Sequence, residues 1–335
     1  MSQLNVLQWD GTPGHYEVHY LTTTDPATGT GLWIRSTMLA PDSGDAQCSL
    51  WFMATFPDAP AVARKLTLPI DQLVAEPEPF RLCIGDSELT DTGYRGAFED
   101  VAWNLQWTQP HPPRGYEHVS ALLRKAKIAK TILVLPHGDV AVSGTVTLPG
   151  GGTLTLDGVH GGQAHLWGSK HSARWTWAHC GDFVDADGTP QPDTFLDGVS
   201  VFVPRFGREV GPSTPVVGRL LGEDFIAASP GAVLRAKSTF ALTSWAFETT
   251  AGKRRIVVEV DAPRDSLVGV TYTDPDGEKA YCYNSEVASM RVSVFDKTPR
   301  GASRWELRET LVSHGRTHFE YGQRETVPDL ELHLT

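Results

Sequence analysis

Short runs of β-branched and aromatic residues, each closed off by Gly, Pro, Asn or Asp, recur along almost the whole chain and point to an antiparallel all-β fold. The runs fall at 15–21, 31–39, 48–56, 80–84, 101–108, 130–135, 140–148, 153–156, 163–167, 174–180 and 199–203. A second series occupies 240–248, 255–261, 267–273, 279–284, 290–295, 305–312 and 317–321. Asp274-Pro275-Asp276-Gly277 joins two of them, with Pro fixing φ and Gly free to take a positive φ, so it predicts a hairpin. One helix is predicted, over 117–129, where Val119, Leu122 and Leu123 share a face. Long apolar helices do not alternate with the strands, which disfavours parallel α/β folds and their nucleotide sites.

A length of 335 residues favours two domains, and the small, turn-rich stretch 222–236 places a boundary near residue 230, giving units 1–230 and 231–335. Acidic residues outnumber basic ones 40 to 29, and the resulting charge of −11 repels phosphate backbones and anionic lipid surfaces. Nucleic acid is therefore not an expected partner. No run of about 18 apolar residues is present, and residues 1–14 carry no basic-then-apolar leader pattern, so no stable membrane insertion and a cytoplasmic location are the expectations. Cys48, Cys83, Cys180 and Cys282 form no CxxC pair, which predicts reduced thiols and no structural zinc.

Residues 160–183 gather four histidines and three of the ten tryptophans. If 163–167 and 174–180 pair as a hairpin, alternation puts His165 with Trp167 on one face, and Trp175, Trp177 and His179 together on one face. Inside a barrel this wall would suit an extended apolar or polyene ligand; ordinary core packing is the alternative. Asp182, Asp157 and His179 are the nearby acid–base candidates. Arg35 shares a strand face with Trp33, and an inward Arg there would bind a carboxylate or other oxygen on the ligand. His15, Glu17 and His19 share a face, but the two histidines stand roughly 13 Å apart along a strand, too far for one ion. His165, His171 and His179 would converge only if the loop between them folds back. Neither metal nor cofactor is expected, and the hydrolase, zincin and nucleotide signatures are absent.

Gly14-His15-Tyr16-Glu17, Trp33-Ile34-Arg35, His165-Leu166-Trp167-Gly168 and Trp175-Thr176-Trp177-Ala178-His179 carry a resemblance. In these elements the chain resembles the superfamily of carotenoid 1,2-hydratases (hydroxyneurosporene synthases), tocopherol cyclases, AttH-like proteins and fungal lipocalin-like Diels–Alderases. The resemblance implies two lipocalin-like antiparallel β-barrels with minor helix. It also implies a ligand chamber in or beside the first barrel, and an isoprenoid, lipid or polyene substrate. No family catalytic set can be matched residue by residue. Three functions follow: a cofactor-independent hydratase, cyclase or isomerase with Asp182 or His179 delivering the proton; a pericyclase acting by orientation; or a non-catalytic carrier. In each, Trp175, Trp177, His165, Trp167, Trp33 and Arg35 are the expected ligand contacts.

Overall fold

The computed structural model describes residues 3–109, 114–119, 130–205, 208–298 and 304–335, with main chain alone at 204 and 205. Twelve strands form the first sheet: β1 (His15–Thr24), β2 (Gly31–Ala40), β3 (Gln47–Thr55), β4 (Val62–Pro69), β5 (Leu73–Pro77), β6 (Phe80–Ile84), β7 (Ser87–Thr90), β8 (Gly93–Phe98), β9 (Val101–Thr108), β10 (Tyr116–Glu117), β11 (Thr131–Thr147) and β12 (Thr153–Gly168). They run in the order β4-β3-β2-β1-β12-β11-β9-β8-β7-β6-β5, with β10 on β11, and curl into a barrel. The second sheet holds β13 (Arg174–Cys180), β14 (Phe195–Arg205), β15 (Arg208–Ser213), β16 (Val216–Leu220), β17 (Glu223–Ala227), β18 (Lys237–Ala241), β19 (Ser244–Ala251), β20 (Arg254–Asp261), β21 (Val268–Thr273), β22 (Lys279–Lys297), β23 (Trp305–Gln323) and β24 (Leu332–Leu334). The all-β, lipocalin-like architecture is as the sequence predicts.

The long strands differ from the short runs predicted. Residues 130–135 and 140–148 are one strand, β11, because Pro136-His137-Gly138-Asp139 makes bulges and not a turn. Residues 279–284 and 290–295 likewise merge into β22 across a register shift at Ser285–Ala288. Gly, Pro and Asp clusters mark bends as well as breaks when a strand must curve round a barrel. The expected hairpin is present: β21 and β22 pair, Asp274 accepts from Gly277, and Gly277 takes φ +84°. Of the predicted helix, 120–129 lies outside the described residues and 116–117 is strand β10; the described α-helix is α1 (Pro230–Arg235).

The sheets change at 169–173. Residue 230, where the domain boundary was expected, opens α1 inside the second strand series, because small and turn residues there build a one-turn link between β17 and β18. Because the chain changes sheets at 169–173, 163–167 and 174–180 do not pair. β12 lies between β1 and β11, while β13 lies between β14 and β23. The five-residue link crosses from one sheet to the other instead of turning back.

Each sheet wraps its own apolar core. Leu21, Ile34, Phe52, Trp103 and Val142 fill the first; Trp245, Phe247, Val258, Tyr283 and Phe319 fill the second. A third set of buried residues belongs to neither barrel. Trp33, Trp51 and Met53 of the first sheet pack on Trp175, Val270 and Tyr272 of the second, and Leu135 and Ala164 pack on Trp177 and Phe195. This seam between the sheets positions the candidate site. No described helix is long and apolar enough to cross a membrane.

Candidate functional site in the seam

Alternation along β13 sends Ala178 and Cys180 into the second barrel and Trp175, Trp177 and His179 toward the first sheet. The shared face read from the sequence is therefore present, but it lines the seam, not the interior of the first barrel. The residues added by neighbouring strands are ionisable. Asp197 on β14 stands opposite His179 in register; Glu286 on β22, and His318 and Glu320 on β23, extend the same face. Asp197, His179, Glu286 and His318 are almost fully enclosed, 0–2% exposed, and Glu320 is half-buried.

Asp197 is the hub. Its Oδ2 accepts from Trp177 Nε1 and pairs with His179 Nδ1, both at 3.1 Å, and its Oδ1 lies 2.8 Å from His118 Nε2. Burial works against ionisation here, but the contacts with His118 and His179 outweigh it and hold the carboxyl below its usual range. With Nδ1–H donated to Asp197, the His179 lone pair sits on Nε2, which has no partner. A Cβ on Gly162 of β12 would come within 2.3 Å of that nitrogen, so the glycine keeps the space in front of it open.

Glu286 behaves in the opposite way. Burial, reinforced by the Glu320 carboxylate, pushes its carboxyl well above the ordinary carboxylate range. It bonds His318 Nδ1, and burial together with His179 pushes that imidazole well below its ordinary value. Both shifts favour the neutral forms, a carboxylic acid beside a neutral imidazole. The His318 and His179 rings lie 6.1 Å apart. Glu320 Oε1 accepts from Trp175 Nε1 at 3.1 Å. Tyr20 of β1 closes the wall from the first sheet, edge-on to Trp177 at 5.6 Å. A protonated acid and a carboxylate-oriented imidazole with a free nitrogen, set between indoles, can give and take protons in a water-poor space.

At the other end of the seam, Arg35 and Trp33 lie together on β2, as expected from their shared face. The Arg35 guanidinium stands 4.5 Å from the Tyr272 ring and 5.2 Å from Trp33. His171, in the crossing link, stacks on Tyr16 and Tyr272, and its Nδ1 bonds Asp274 Oδ1 at 2.6 Å while Nε2 has no partner.

Four expected residues stand elsewhere. His165 and Trp167 face the first barrel, where His165 and His19 oppose each other across β1 and β12 with rings stacked at 3.9 Å. Glu17, His19 and His165 bring donor atoms within 4.8 Å of one another, so a carboxylate and two imidazoles do converge, through the cross-strand His165 and not through His15 and His19 on one strand. These donors already hold the N-terminal segment. Glu17 accepts from Gln8 N, Trp9 N, His15 and His165; His19 and His165 bond the carbonyls of Asn5 and Leu4. Asp182 follows β13 and is tied to Arg316 at 2.7 Å, with its side chain 22% exposed and apart from the indole wall. Asp157 is exposed at the Gly158 bend of β12. Glu286 escaped sequence reading because the bulge at 285–288 reads as a loop, and His318 and Glu320, within the predicted run 317–321, because nothing local shows that β23 pairs with β13.

A groove of about 530 Å³ lies on the polar outer face of β7–β9 and β11, lined by Glu88, Arg95 and Asn104. Glu88 there is already paired with Arg81 and Arg95, so the seam holds the chemistry.

No family model matches the chain. It is 30% identical over 328 residues to the uncharacterized proteins MT0513 and Rv0493c from two strains of Mycobacterium tuberculosis, covering 95% of this chain and 89% of each relative. Among solved structures, an AttH protein of Nitrosomonas europaea aligns over 96% of this chain and 98% of its own, with TM-score 0.56 and 13% identity. Kievitone hydratase from Nectria haematococca aligns over 96% and 93%, with TM-score 0.50 and 8% identity. At these identities the likeness is one of fold, and it agrees with the superfamily resemblance carried by the sequence motifs. The chain belongs to the family of the mycobacterial proteins MT0513 and Rv0493c, and it has the AttH-type lipocalin-like fold.

Proposed function

We propose that the protein is a cofactor-independent hydratase, cyclase or isomerase that protonates an apolar isoprenoid, lipid or polyene substrate held in the seam. The observation that carries this reading is a buried pair of opposites joined through two stacked histidines: Glu286 bonds His318, whose ring lies 6.1 Å from that of His179, and His179 is held by Asp197, with burial pushing the Glu286 carboxyl up while His118 and His179 hold the Asp197 carboxyl down. Environments that push two titratable groups apart supply an acid and a base at one pH. In a hydration, the Glu286 carboxyl gives its proton to one alkene carbon. Water adds to the other carbon and loses a proton to His179 Nε2, whose imidazolium Asp197 stabilises. Isomerisation omits the water, and His179 removes a proton from the substrate instead. The hydratase named among the fold neighbours makes the first of these the natural starting point.

This reading moves the acid from Asp182 to Glu286 and keeps His179. A purely orienting pericyclase or a carrier needs shape but no protonated carboxyl, and neither accounts for the seam's ionisable groups. The experiment is deuterium incorporation into a panel of prenylated and polyene alkenes in D2O, read by mass spectrometry. Wild-type protein should label a substrate, and Glu286→Gln and His179→Gln should not. Equal labelling by Glu286→Gln would end the acid assignment; binding with no labelling by wild type would favour the carrier.

A further inference from the structure

Arg35 is 5% exposed, and its Nε has no hydrogen-bond partner. Rings surround it, Tyr272 at 4.5 Å, Trp33 at 5.2 Å and Trp51 at 5.7 Å, and no ion pair to a described carboxylate neutralises it. A second cation stands beside it. Lys65 Nζ lies 4.2 Å from the Trp51 ring and donates to Thr335 O, and burial, with Lys279 and Arg35 nearby, holds its ammonium below the usual lysine range. His171, with its unpartnered Nε2, completes the lining of a cavity of about 60 Å³ between the sheets, which Tyr16, Ser49 and Tyr272 also border.

Taking a guanidinium out of water without a counter-ion is unfavourable, and ring faces offset only part of that loss. In a chain with eleven surplus negative charges, a counter-ion from the protein would be easy to supply. We infer that the cavity is a carboxylate-binding subsite that takes the acid head of a long apolar ligand whose body runs along the seam. The inference rests on the reading that the seam holds the ligand. The volume suits a head group, since about 10–15 Å³ of such space holds one water molecule. Side-chain contacts connect this cavity to the indole wall. Tyr20 stands opposite Arg35 in the β1–β2 register, meets Trp177 edge-on, and Trp177 stacks near His179 at 6.2 Å. The carboxylate would accept a bidentate pair of bonds from the guanidinium, a geometry an ester cannot reproduce with a charge.

The test is a fluorescence titration at low ionic strength with cis-parinaric acid and with its methyl ester. Wild type should bind the acid about ten-fold more tightly than the ester. Arg35→Met should remove the preference and Arg35→Lys should keep part of it, while Arg95→Met, at an exposed cation on the outer face of β8, should keep all of it. If Arg35→Met does not fold by circular dichroism, Lys65→Met serves in its place and should lower the preference several-fold. Equal binding of acid and ester by wild type, a preference that survives in folded Arg35→Met, or no binding of either probe overturns the inference. Deuterium labelling that depends on Glu286 would still stand in each of those cases, so the two readings fail separately.

Discussion

Two clusters of buried ionisable side chains lie on opposite faces of the strands around β1, and they differ in how completely they are satisfied. On the barrel side, Glu17 accepts four hydrogen bonds, and His165 and His19 each bond a main-chain carbonyl of the N-terminal segment. On the seam side, His179 Nε2, His171 Nε2, Arg35 Nε and Asn284 Nδ2 have no partner. A fully bonded cluster has no free donor or acceptor left for a ligand and acts as a latch. A cluster with several unpaired atoms keeps them for something that arrives. The protein uses the same residue types for both jobs, so the bonding, not the composition, separates them.

The largest expected effect is on the latch. Glu17→Ala strands two histidines and the amides of Gln8 and Trp9, and should destabilise the fold by roughly 3–5 kcal/mol in urea unfolding. Glu286→Gln, which replaces a neutral acid by a neutral amide, should cost less than about 1 kcal/mol below pH 4.5 and should gain stability at neutral pH, where the amide releases no proton on unfolding. Comparable losses from the two would erase the distinction.

The pH dependence should separate them by sign. Burial raises the Glu17 carboxyl, but the bonds from His15 and His165 win and bring it down to about 2 from 4.5. A lowered carboxylate stabilises the fold above its unfolded value, so this contribution, on the order of 3 kcal/mol, is lost as pH falls from about 4.5 toward 2. Glu286 is raised. Its contribution is fully present below about 4.5 and is lost as pH rises above that, because the unfolded chain then releases a proton the folded chain retains. Glu17→Gln should flatten the acid limb of the stability curve. Glu286→Gln should flatten the fall in stability above about pH 4.5.

A smaller effect is expected at the hub. Trp177→Phe removes the indole donor to Asp197 and should cost about 1–3 kcal/mol, by leaving a buried carboxylate one bond short. Arg35→Met should have the smallest effect on stability, within about 1 kcal/mol and of either sign, since it removes a buried charge that no described carboxylate neutralises. A loss of several kcal/mol would mean that Arg35 already has its counter-ion.

How much of this was legible depended on whether a signal was local. Period-two alternation placed Trp175, Trp177 and His179 on one face, and Trp33 with Arg35 on another, and both pairings hold. Asp274-Pro275-Asp276-Gly277 gave its hairpin through turn chemistry alone. Which sheet β13 joins is not local: the link 169–173 is as short as a hairpin loop, yet it crosses between sheets, so the wall of indoles faces the seam. Glu286 was hidden for a related reason. It sits in a bulge that looks like a loop, and its chemistry comes from Glu320 and His318 on another strand. Asp182 looked suitable beside His179 in sequence, but Gly181 and the strand end carry it away to Arg316.

The central claim is that the seam stores a proton on Glu286 at neutral pH. Infrared difference spectroscopy of wild type against Glu286→Gln at pH 7 reads that directly. The account predicts the carbonyl stretch of a protonated carboxyl in the wild type, absent from the variant. An ionised carboxylate signal at Glu286 would contradict it and would leave the seam without its acid.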